Sequence, residues 1–420
     1  MDIEGVVIMQ VVTVEEGLQL LETPFTQNRY KIERESVSIG HSYGRVLETT
    51  ALAKMNYPPF RRSAMDGIAI RYAEDTRTYR ILETIGAGEV FQGQLEPGEG
   101  VHIMTGAMVP DTADTVVVKE ALTWNNDMEV TVPSRIERGQ HIILEGEDIQ
   151  IGQELLPAGT VLEAEQVGTL AGQGYSEVSV YRKPRVIVLT TGREVQDPSE
   201  PLRVGHIYNS NRYLLEGTLH ALGVDVVGVA HLSDAPGTVD DNIATVRHML
   251  DTLGPVDMII STGGVSVGDY DTMPELYERL GANALYRRLH MRPGAASFGG
   301  IITIDDHSIW CMGLSGNPTA AMNQFYLLVL PVLERLSGQT VMTRWIECYL
   351  GEVADRKHPL DRYYQGHIRY EAGSCWAYPN LGMTSGGLKS LSVANGLIKI
   401  PGNSDRLERG TLVKVLPFTR

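Results

Sequence analysis

The segment Met258-Ile-Ile-Ser-Thr-Gly-Gly-Val-Ser-Val-Gly-Asp-Tyr-Asp271 decides the fold predicted for this chain. It opens with an apolar run that is typical of a buried strand, and Gly263 and Gly264 follow directly. In parallel α/β sheets, ligands bind beyond the carboxyl ends of the strands. Glycine backbone there lets N–H groups approach an anion, and Thr262 and Ser266 add hydroxyl donors. The segment therefore predicts a phosphate or oxyanion site, with a purely structural glycine turn as the alternative.

From Pro184 onward, strand-like and helix-like patterns alternate along the chain. This alternation favours a parallel-rich sheet that is covered by helices on both faces. The predicted strands are 186–189, 224–229 and 258–260, and the predicted helices are 209–222, 239–253, 274–280 and 318–336.

The regions on either side of the alternating α/β region have a different pattern of apolar and polar residues. Residues 66–148 contain short apolar runs broken by Gly, Pro, Asn and Asp, which predict a β-rich module, and similar runs after Gly338 predict a small terminal β module. Thr13 and Glu16 have the spacing of a capping box, so a helix is expected to open the fold. Residues 153–180 return to mixed structure, with a helix at 163–170 and a strand at 177–181, and we expect them to rejoin the first segment as one discontinuous domain.

Composition narrows the class of protein. The chain has 420 residues, of which 43% are hydrophobic and 21% charged, as expected for a globular protein. At roughly 150 residues per domain, this length suggests about three domains. The formal charge of −16 argues against nucleic acid and acidic lipid as partners.

The cysteines and the amino-terminal residues indicate in which cellular compartment the protein is expected. Cys311, Cys348 and Cys375 are too few and too scattered for a disulfide framework, which favours a reducing compartment and therefore the cytoplasm. The first residues are acidic rather than basic, and no apolar stretch is long enough to span a membrane. We therefore expect neither a targeting signal nor a membrane segment.

Loop carboxylates form a second group of candidates for a functional site. Such residues can gather around Mg²⁺, which prefers oxygen ligands. Taken one at a time, each is more often a turn-former or a helix cap than a metal ligand. The residues in question are Asp66, Asp148, Glu194, Asp269 and Asp271.

Cations precede a Pro-Gly turn in the segment Arg287-Arg-Leu-His-Met-Arg-Pro-Gly294. Fixed positive charge at a rigid turn suits an oxyanion. The alternative is an exposed strand edge, which basic residues commonly protect.

A serine hydrolase is a competing function, because Gly264-x-Ser266-x-Gly268 matches a nucleophile elbow. Its context is unfavourable: an elbow enters a helix at once, whereas here Pro274 lies eight residues after the serine, and no HGGG-type segment precedes it. The histidines that could supply a base are His290, His307, His358 and His367. Zinc-protease, Walker A and dinucleotide-binding signatures are absent from the sequence.

Taken together and in order, further motifs resemble those of the MoeA family, the molybdopterin molybdenumtransferases, which includes the E domain of gephyrin. The resemblance extends from Pro58 to Pro401. Its motifs are Ser63-Ala-Met-Asp-Gly67, Gly100-Val-His-Ile-Met-Thr-Gly-Ala107, Gly139-Gln-His-Ile142, Gly146-Glu-Asp-Ile149, Thr191-Gly192-x-Glu194, Ile207-Tyr-Asn-Ser-Asn211, Gly263-Gly-Val-Ser-Val-Gly268, Gly316-Asn-Pro318 and Ser385-Gly-Gly-Leu-Lys-Ser-Leu391.

The resemblance implies an α/β multidomain fold and a homodimer. Asp66 and Asp148 would then act across the subunit interface. The implied domains are an elongated discontinuous domain at 1–50 and 149–182, a β-rich domain at 51–148, a MogA-like molybdopterin-binding α/β domain with a parallel-rich sheet at 183–338, and a C-terminal β-barrel at 339–420.

The resemblance also implies a reaction. Molybdenum from molybdate is inserted into adenylylated molybdopterin in an Mg²⁺-dependent step that releases AMP, and a MogA-type adenylyltransferase is a possible partner. The implied catalytic residues are Asp66, Asp148, Glu194, Asp234 and Asp271, of which the last three would serve Mg²⁺. The motifs fit molybdate and tungstate alike.

The implied substrate-binding residues comprise the glycine loop, which would cradle phosphate groups, and cations that would hold molybdate. They are Thr191, Gly192, Thr262, Gly263, Gly264, Ser266, Gly268, Arg288, Arg292, Pro293, Gly294, Ser315, Gly316, Asn317, Pro318, Arg362 and Ser385.

The chain departs from the family at its basic turn. The family has two lysines four residues apart, the second of which opens a Lys-Pro-Gly-Lys-Pro turn. Here Arg288 and Arg292 stand at the lysines, and Ala295-Ala296 replaces the last Lys-Pro pair. A broad planar guanidinium differs from a compact ammonium, and Ala295 removes one charge. An alternative function follows: a divergent paralogue that binds molybdopterin or an oxyanion without efficient metal insertion.

Overall fold

The computed structural model describes residues 11–27, 30–266, 271–304, 307–339, 344–354, 357–381 and 388–418. Contacts divide the chain into two units: residues 1–35, 44–46 and 180–420 form the first, and residues 36–43 and 47–179 form the second. The α-helices of the described residues are α1 (Val14–Thr26), α2 (Ala164–Gly172), α3 (Ser210–Ala221), α4 (Val239–Thr252), α5 (Met273–Arg279), α6 (Pro318–Gln324), α7 (Leu330–Leu336) and α8 (Leu388–Val393).

Seven of the described strands form the central sheet of the first unit. Neighbours are parallel except around Ala296–Ile304, which runs antiparallel to the strand on either side. Alternate residues of Met258–Thr262 face two different apolar cores, which explains why that strand reads as a continuous apolar run. The predicted parallel-rich α/β sheet is confirmed. In spatial order the strands are Val11–Val12, Ala282–Leu289, Ala296–Ile304, His307–Leu314, Met258–Thr262, Arg185–Thr191 and Asp225–Leu232.

The amino-terminal helix belongs to this α/β unit. The predicted capping box is present, because the Thr13 hydroxyl accepts from the Glu16 N–H and the Glu16 carboxylate accepts from the Thr13 N–H. Leu21 of α1 packs in the same core as Trp310, whose indole N–H donates to the Leu21 carbonyl across 2.9 Å. The structure thus places residues 11–26 on the central sheet, whereas the sequence assigned them to an elongated domain; the four domain boundaries remain a prediction.

The helix predicted at 318–336 is interrupted. A π-helical turn at Phe325–Val329 separates α6 from α7, and the Leu330 N–H donates to the Phe325 carbonyl five residues back. Pro331 follows directly and has no N–H with which to continue an α-helical ladder. The other predicted helices agree with α3, α4 and α5 to within about two residues, as is usual for helix ends.

The carboxyl-terminal strands close into a barrel. Asp361–Glu371 pairs with Ser374–Pro379 on one side and with Gly396–Ile400 on the other, which completes a ring of five strands. Ile346–Leu350 and Leu412–Pro417 are the remaining members of the ring. The short strand Met291–Arg292 pairs with the start of Asp361–Glu371, so a segment of the α/β part joins the barrel directly. The predicted β-barrel is confirmed.

Two of the cysteines are paired, which the sequence analysis did not foresee when it predicted no disulfide framework. Cys348 and Cys375 form a disulfide with their Cα atoms 4.8 Å apart, whereas Cys311 is free and buried. Tyr349 lies opposite Trp376 on neighbouring parallel strands, which brings the preceding residues together. A sequence separation of 27 hides this proximity, because strand pairing creates it.

The second unit is β-rich, as predicted. Its main sheet contains, in spatial order, Thr115–Val118, Gly67–Ile70, Glu99–Ile103, Thr78–Ile85, Glu129–Thr131 and Thr123–Asn126. Gly67 is required by close packing, because a Cβ there would lie 1.9 Å from the Val117 carbonyl oxygen. The other short strands of the chain are Arg34–Ser38, Ala51–Leu52, Arg62–Ser63, Ile142–Ile143, Glu154–Leu156, Glu177–Tyr181, Val195–Gln196 and Ile207–Tyr208.

A search of the described residues for a helix both long and apolar enough to cross a membrane finds none.

Candidate functional site

A cavity of about 350 Å³ opens at the carboxyl ends of the strands Arg185–Thr191 and Met258–Thr262, where the sequence predicts an anion site. We call it the glycine-loop cavity. Its lining includes the predicted residues Thr191, Gly192, Glu194, Asp234, Thr262, Gly263, Gly264, Ser266, Asp271, Ser315, Gly316 and Pro318, together with Tyr208, Asn209, Ser210, Asn211 and Ala296.

The glycines of this cavity are required by the backbone itself. Gly263 has a φ of 89°, and a Cβ there would lie 2.7 Å from the Thr191 Oγ1. A Cβ on Gly316 would in turn lie 3.4 Å from the Gly263 Cα. The loops after three strands thus approach each other more closely than side chains allow. The structural turn and the predicted ligand cavity are therefore both present in this segment.

Asn211 ties two walls of the cavity together. Its amide donates to the Thr262 Oγ1 across 2.6 Å and to the Gly316 carbonyl across 2.9 Å, and the Thr262 hydroxyl donates to the Ser315 carbonyl. The Asn209 side chain caps α3 by accepting from the Arg212 N–H, and Ser210 and Asn211 of the first turn line the cavity. The positive end of the helix dipole therefore favours an anion here.

Three carboxylates line the same cavity, from Glu194, Asp234 and Asp271. One Asp234 oxygen accepts from the Arg193 N–H across 3.0 Å, and the Arg193 guanidinium lies 3.4 Å from that oxygen. Among the residues that the structure describes, no group of three or more His, Cys, Asp or Glu side chains is arranged to hold a metal ion. A divalent cation here would need ligands from a bound substrate as well.

The arginines that the sequence analysis assigned to molybdate do not all line the same cavity. Arg288 is exposed and lines neither cavity described here. Its strand, Ala282–Leu289, has a neighbour on each side, Val11–Val12 and Ala296–Ile304, so it is not the sheet edge that we considered as an alternative. Arg292 lies opposite Arg362 on paired parallel strands, and these two residues face a second cavity.

This second cavity, which we call the barrel cavity, has a volume of about 780 Å³. Four of its described lining residues can carry positive charge, and no described residue of the lining is acidic. The Arg362 guanidinium lies over the Tyr364 ring, 5.5 Å from its centroid. The lining comprises Arg292, Pro293, Gly294, Ala295, Thr319, Lys357, His358, Arg362, Tyr363, Tyr364, Gln365, Asn380, Leu381 and Ser390.

One turn forms a wall of both cavities. Ala295 faces the barrel cavity, and its neighbour Ala296 faces the glycine-loop cavity. The turn is held by Gln324 of α6, whose amide donates to the carbonyl oxygens of Gly294 and Ala296 across 2.7 Å and 2.8 Å. The same side chain accepts from the Ser315 N–H across 2.8 Å, so a single buried amide fixes both walls.

Comparison with known proteins places the chain among relatives. It is 33% identical over 395 residues to a molybdopterin molybdenumtransferase of Bacillus subtilis, with 91% of this chain and 90% of that protein covered. The chain belongs to the MoeA family. A molybdopterin molybdenumtransferase of Staphylococcus aureus is 30% identical over 389 residues, covering 91% of this chain and 90% of that protein. The resemblance predicted from the motifs is thereby confirmed.

Family descriptions match almost the whole chain. Residues 12–174 match the MoeA N-terminal region (domain I and II), residues 187–335 a probable molybdopterin binding domain, and residues 351–418 the MoeA C-terminal region (domain IV). The crystal structure of a molybdopterin biosynthesis MoeA protein from Pyrococcus horikoshii superposes with a TM-score of 0.79 at 26% identity, covering 98% of this chain and all of that chain. The MoeA fold is therefore shared.

Two predicted catalytic residues lie in the second unit. Asp66 accepts from the N–H and the hydroxyl of Thr105 and from Lys119 Nζ at 3.1 Å. These hydrogen bonds, the Thr105 N–H foremost, and the Lys119 charge hold the pKa of the Asp66 carboxyl well below its usual range. Asp148 is exposed, and its backbone N–H donates to the Tyr57 carbonyl. Asp66 is thus an ionised carboxylate near neutral pH, held in place by three hydrogen bonds in this MoeA protein.

The remaining predicted site residues line the barrel cavity, line neither cavity, or lie outside the described residues. Pro293, Gly294 and Arg362 belong to the barrel cavity, whereas Asn317 caps α6 through a bond from the Ala320 N–H and is not part of either lining. Gly268, Asp269 and Ser385 lie outside the described residues.

Sequence reasoning missed several residues that shape the two cavities. Asn211 had a signal, because it stands in a motif that opens a predicted helix. Four other residues had no such sequence signal, because each reaches its cavity wall through pairing of distant segments. They are Gln324, Gln365, Lys357 and His358.

The hydrolase alternative gains no support. Ser266 is exposed, and α5 begins only at Met273. Within the described part of the chain, the ring nitrogens of His307 and His358 are hydrogen-bonded to Val256 and Leu360, and no histidine is bonded to Ser266. A nucleophile without a bonded base lacks the first requirement of a triad.

Proposed function

We propose that this protein is a molybdopterin molybdenumtransferase of molybdenum cofactor biosynthesis, which inserts molybdenum from molybdate into adenylylated molybdopterin and releases AMP. The observation that carries the proposal is the junction of two cavities at one turn, 293–296, in a chain of the MoeA family. One cavity offers carboxylates and backbone N–H groups, and the other offers cations. A reaction between a phosphate-bearing substrate and an oxyanion needs both.

In this proposal, the glycine-loop cavity binds the phosphate groups of the adenylylated substrate. The first turn of α3 and the loop that follows Gly263 would present backbone N–H groups to the phosphate oxygens, whereas the Gly263 N–H itself donates to the Leu314 carbonyl. Asn211 holds the Thr262 hydroxyl in place at the same wall. These groups are fixed before the substrate arrives, so they need no rearrangement to stabilise charge that builds up on the leaving phosphate.

The carboxylates of the cavity fit Mg²⁺. Mg²⁺ prefers oxygen ligands and commonly takes one or two protein carboxylates together with substrate phosphates. Glu194, Asp234 and Asp271 would hold it, and the ion would neutralise charge on the phosphates. The absence of a ready three-ligand cluster among the described residues agrees with a site that the substrate completes.

Molybdate, a dianion, is proposed to bind at Arg292 and Arg362. These arginines lie side by side on paired strands, where like charges repel unless an anion lies between them. Arg288 is exposed and outside both linings, so we assign it a role in attracting anions rather than in holding them.

A homodimer is part of the proposal, since the family resemblance implies that Asp66 and Asp148 act across a subunit interface. A MogA-type adenylyltransferase is proposed as the supplier of the adenylylated substrate. A cytoplasmic location remains a prediction, and the pairing of Cys348 with Cys375 removes part of the argument from cysteine usage.

The test is AMP release from adenylylated molybdopterin by the purified protein with Mg²⁺, in the presence and absence of molybdate and of tungstate. We expect release that molybdate stimulates, and a loss of about 100-fold or more in Asp271→Asn because a metal ligand is removed. Glu200→Gln makes the same charge change at an exposed residue outside both linings and should release AMP normally. Absence of release from the wild-type protein with either oxyanion would refute the proposal.

The second candidate, a paralogue that binds without efficient insertion, is favoured by one observation: Ala295, at a family lysine position, lines the barrel cavity. Ala295→Lys restores that charge. A large gain in molybdate-dependent AMP release would favour a weakened insertase. Full native activity with no gain would dismiss this candidate.

A further inference from the structure

Two arginines face the barrel cavity without a carboxylate to balance them. Arg292 lies opposite Arg362 on paired parallel strands, and both line the cavity. Within the described ranges neither guanidinium forms an ion pair, although the chain as a whole carries a formal charge of −16. Like charges held side by side repel each other, and a bound anion removes that repulsion.

A third donor comes from His358, which is half-buried and lines the same cavity. Its Nδ1 accepts from the Leu360 N–H across 3.0 Å, and its carbonyl accepts from the Asn403 N–H across 2.7 Å. A backbone N–H can only donate, so the neutral ring carries its hydrogen on Nε2. No acceptor among the described residues takes this hydrogen. Nε2 is therefore an N–H donor left for a ligand.

Acceptors for a ligand's hydrogen are scarce in this cavity. No described residue of the lining is acidic. The Gln365 Oε1 and the Thr319 Oγ1 are unpaired, but they have almost no accessible surface, so a ligand does not reach them. Lys357 is bonded to Asp405 across 2.7 Å, and Asp405 is not part of the lining. The charged groups that the cavity offers to a ligand therefore only donate hydrogen bonds.

We propose that His358 binds the oxyanion together with Arg292 and Arg362, and that this donor-only wall selects oxyanions that carry no proton. The inference rests on the proposed function for the assignment of molybdate to this cavity. Molybdate, tungstate and sulfate dianions present only acceptors. Hydrogen phosphate is also a tetrahedral dianion, but it carries one O–H, which has no carboxylate to bond in this lining. An O–H left unpaired in a site costs affinity, so hydrogen phosphate is rejected although its charge is the same.

Competition between oxyanions tests this selectivity. The full-length protein is titrated with molybdate by calorimetry at about pH 8, where phosphate and sulfate each carry close to two negative charges. Sulfate or phosphate is then added as a competitor, so that an anion bound at another place does not count. We expect sulfate to displace molybdate at a concentration at least about tenfold lower than phosphate. Equal displacement by the two anions would overturn the inference, and so would the absence of saturable binding by both molybdate and sulfate.

Two variants of His358 separate its two ring nitrogens. His358→Asn keeps an acceptor near the Nδ1 position for the Leu360 N–H but does not reach the Nε2 position, so we expect a loss of about tenfold in molybdate affinity. His358→Gln places an N–H near the Nε2 position and should keep most of the affinity. A structural role through Leu360 predicts the reverse order.

His248→Asn is the matched control, because His248 is exposed on α4 and lies outside both linings. It should leave molybdate affinity unchanged. An affinity in His358→Asn equal to that of the wild type, or lower affinity in His358→Gln than in His358→Asn, would overturn the assignment of Nε2.

Oxyanion binding needs no turnover, so this inference and the proposed function fail separately. Normal AMP release together with equal displacement by sulfate and phosphate would refute only the inference. Selective oxyanion binding that His358→Asn weakens, without AMP release by the wild-type protein, would refute only the proposed function.

Discussion

The side-chain amide of Gln324 donates a hydrogen bond to the Gly294 carbonyl across 2.7 Å, joining α6 to a turn thirty residues earlier in the chain. The same nitrogen reaches the Ala296 carbonyl, and the amide oxygen accepts from the Ser315 N–H. Gln324 has no exposed surface, so water does not replace these bonds when they break. Both cavity walls therefore depend on one side chain that touches neither proposed substrate.

Gln324→Met keeps the length of the side chain and removes all three bonds. We expect molybdate-dependent AMP release to fall by about 10- to 100-fold, mainly through a higher KM for molybdate, because three backbone groups lose their partner. The measurement is AMP release as a function of molybdate concentration. Tyr30→Phe removes a buried bond to Asp257 and lies outside both linings, so it should cost stability but leave this KM unchanged. Equal KM changes in both variants would contradict a positioning role.

Gly263→Ala tests the close approach in the glycine loop. Its Cβ would meet the Thr191 Oγ1 at 2.7 Å, in addition to the strain of a positive φ. Gly223→Ala is the control, because Gly223 has a φ of 70° and open space around it. We expect the control to lose about 1 kcal/mol of unfolding free energy and to keep AMP release. Gly263→Ala should lose more than this and should release AMP poorly. Denaturant unfolding and the AMP assay provide both readouts.

Asp66→Asn should destabilise the protein in a pH-dependent way. The pKa of Asp66 is lowered in the folded state, so its ionised form stabilises the fold above the ordinary carboxyl pKa. This contribution is lost as the pH falls below about 4 and approaches the lowered value. The difference in Tm between wild type and Asp66→Asn should therefore be constant near neutrality and shrink in acid. A Tm difference that does not shrink in acid would contradict this role of Asp66.

Mixing inactive subunits tests the proposed dimer. If Asp66 serves the partner's glycine-loop cavity, Asp66→Ala and Asp271→Ala lie in different halves of one composite site. Refolding the two variants together then produces heterodimers with one intact site, and about a quarter of wild-type activity should return. Each variant refolded alone is the control. Failure to regain activity in a mixture shown to contain heterodimers would place Asp66 and Asp271 in the same subunit's site.

Much of the architecture could be predicted because it depends on local patterns. The capping box at Thr13 and the apolar run at Met258 each determine one element, and both elements are found. The antiparallel strand Ala296–Ile304 gave no comparable signal, because its pairing on both sides is a property of the assembled sheet. The Cys348–Cys375 pair had no local signal for the same reason.

The glycine-loop cavity could be predicted in large part, since motif residues after successive parallel strands must meet at one sheet edge. The barrel cavity could not, because it depends on the Met291–Arg292 strand joining the barrel at Asp361. That pairing spans about seventy residues and has no local signature. Reading Arg288 and Arg292 as one anion site therefore failed to separate an exposed residue from a cavity residue.

The π-helical turn that follows Gln324 has a consequence for how this gene tolerates changes in length. Asn323 and Gln324 point about 100° apart around the helix axis, one toward the barrel and the other toward the 293–296 turn. A codon gained or lost before them would rotate both amides away from their partners. A π turn holds one extra residue within a helix, so loss of one residue within Phe325–Val329 would restore a continuous α-helix and keep the buried face of α7 on the core. We expect single-residue deletions among related sequences to be found at this turn rather than before Gln324.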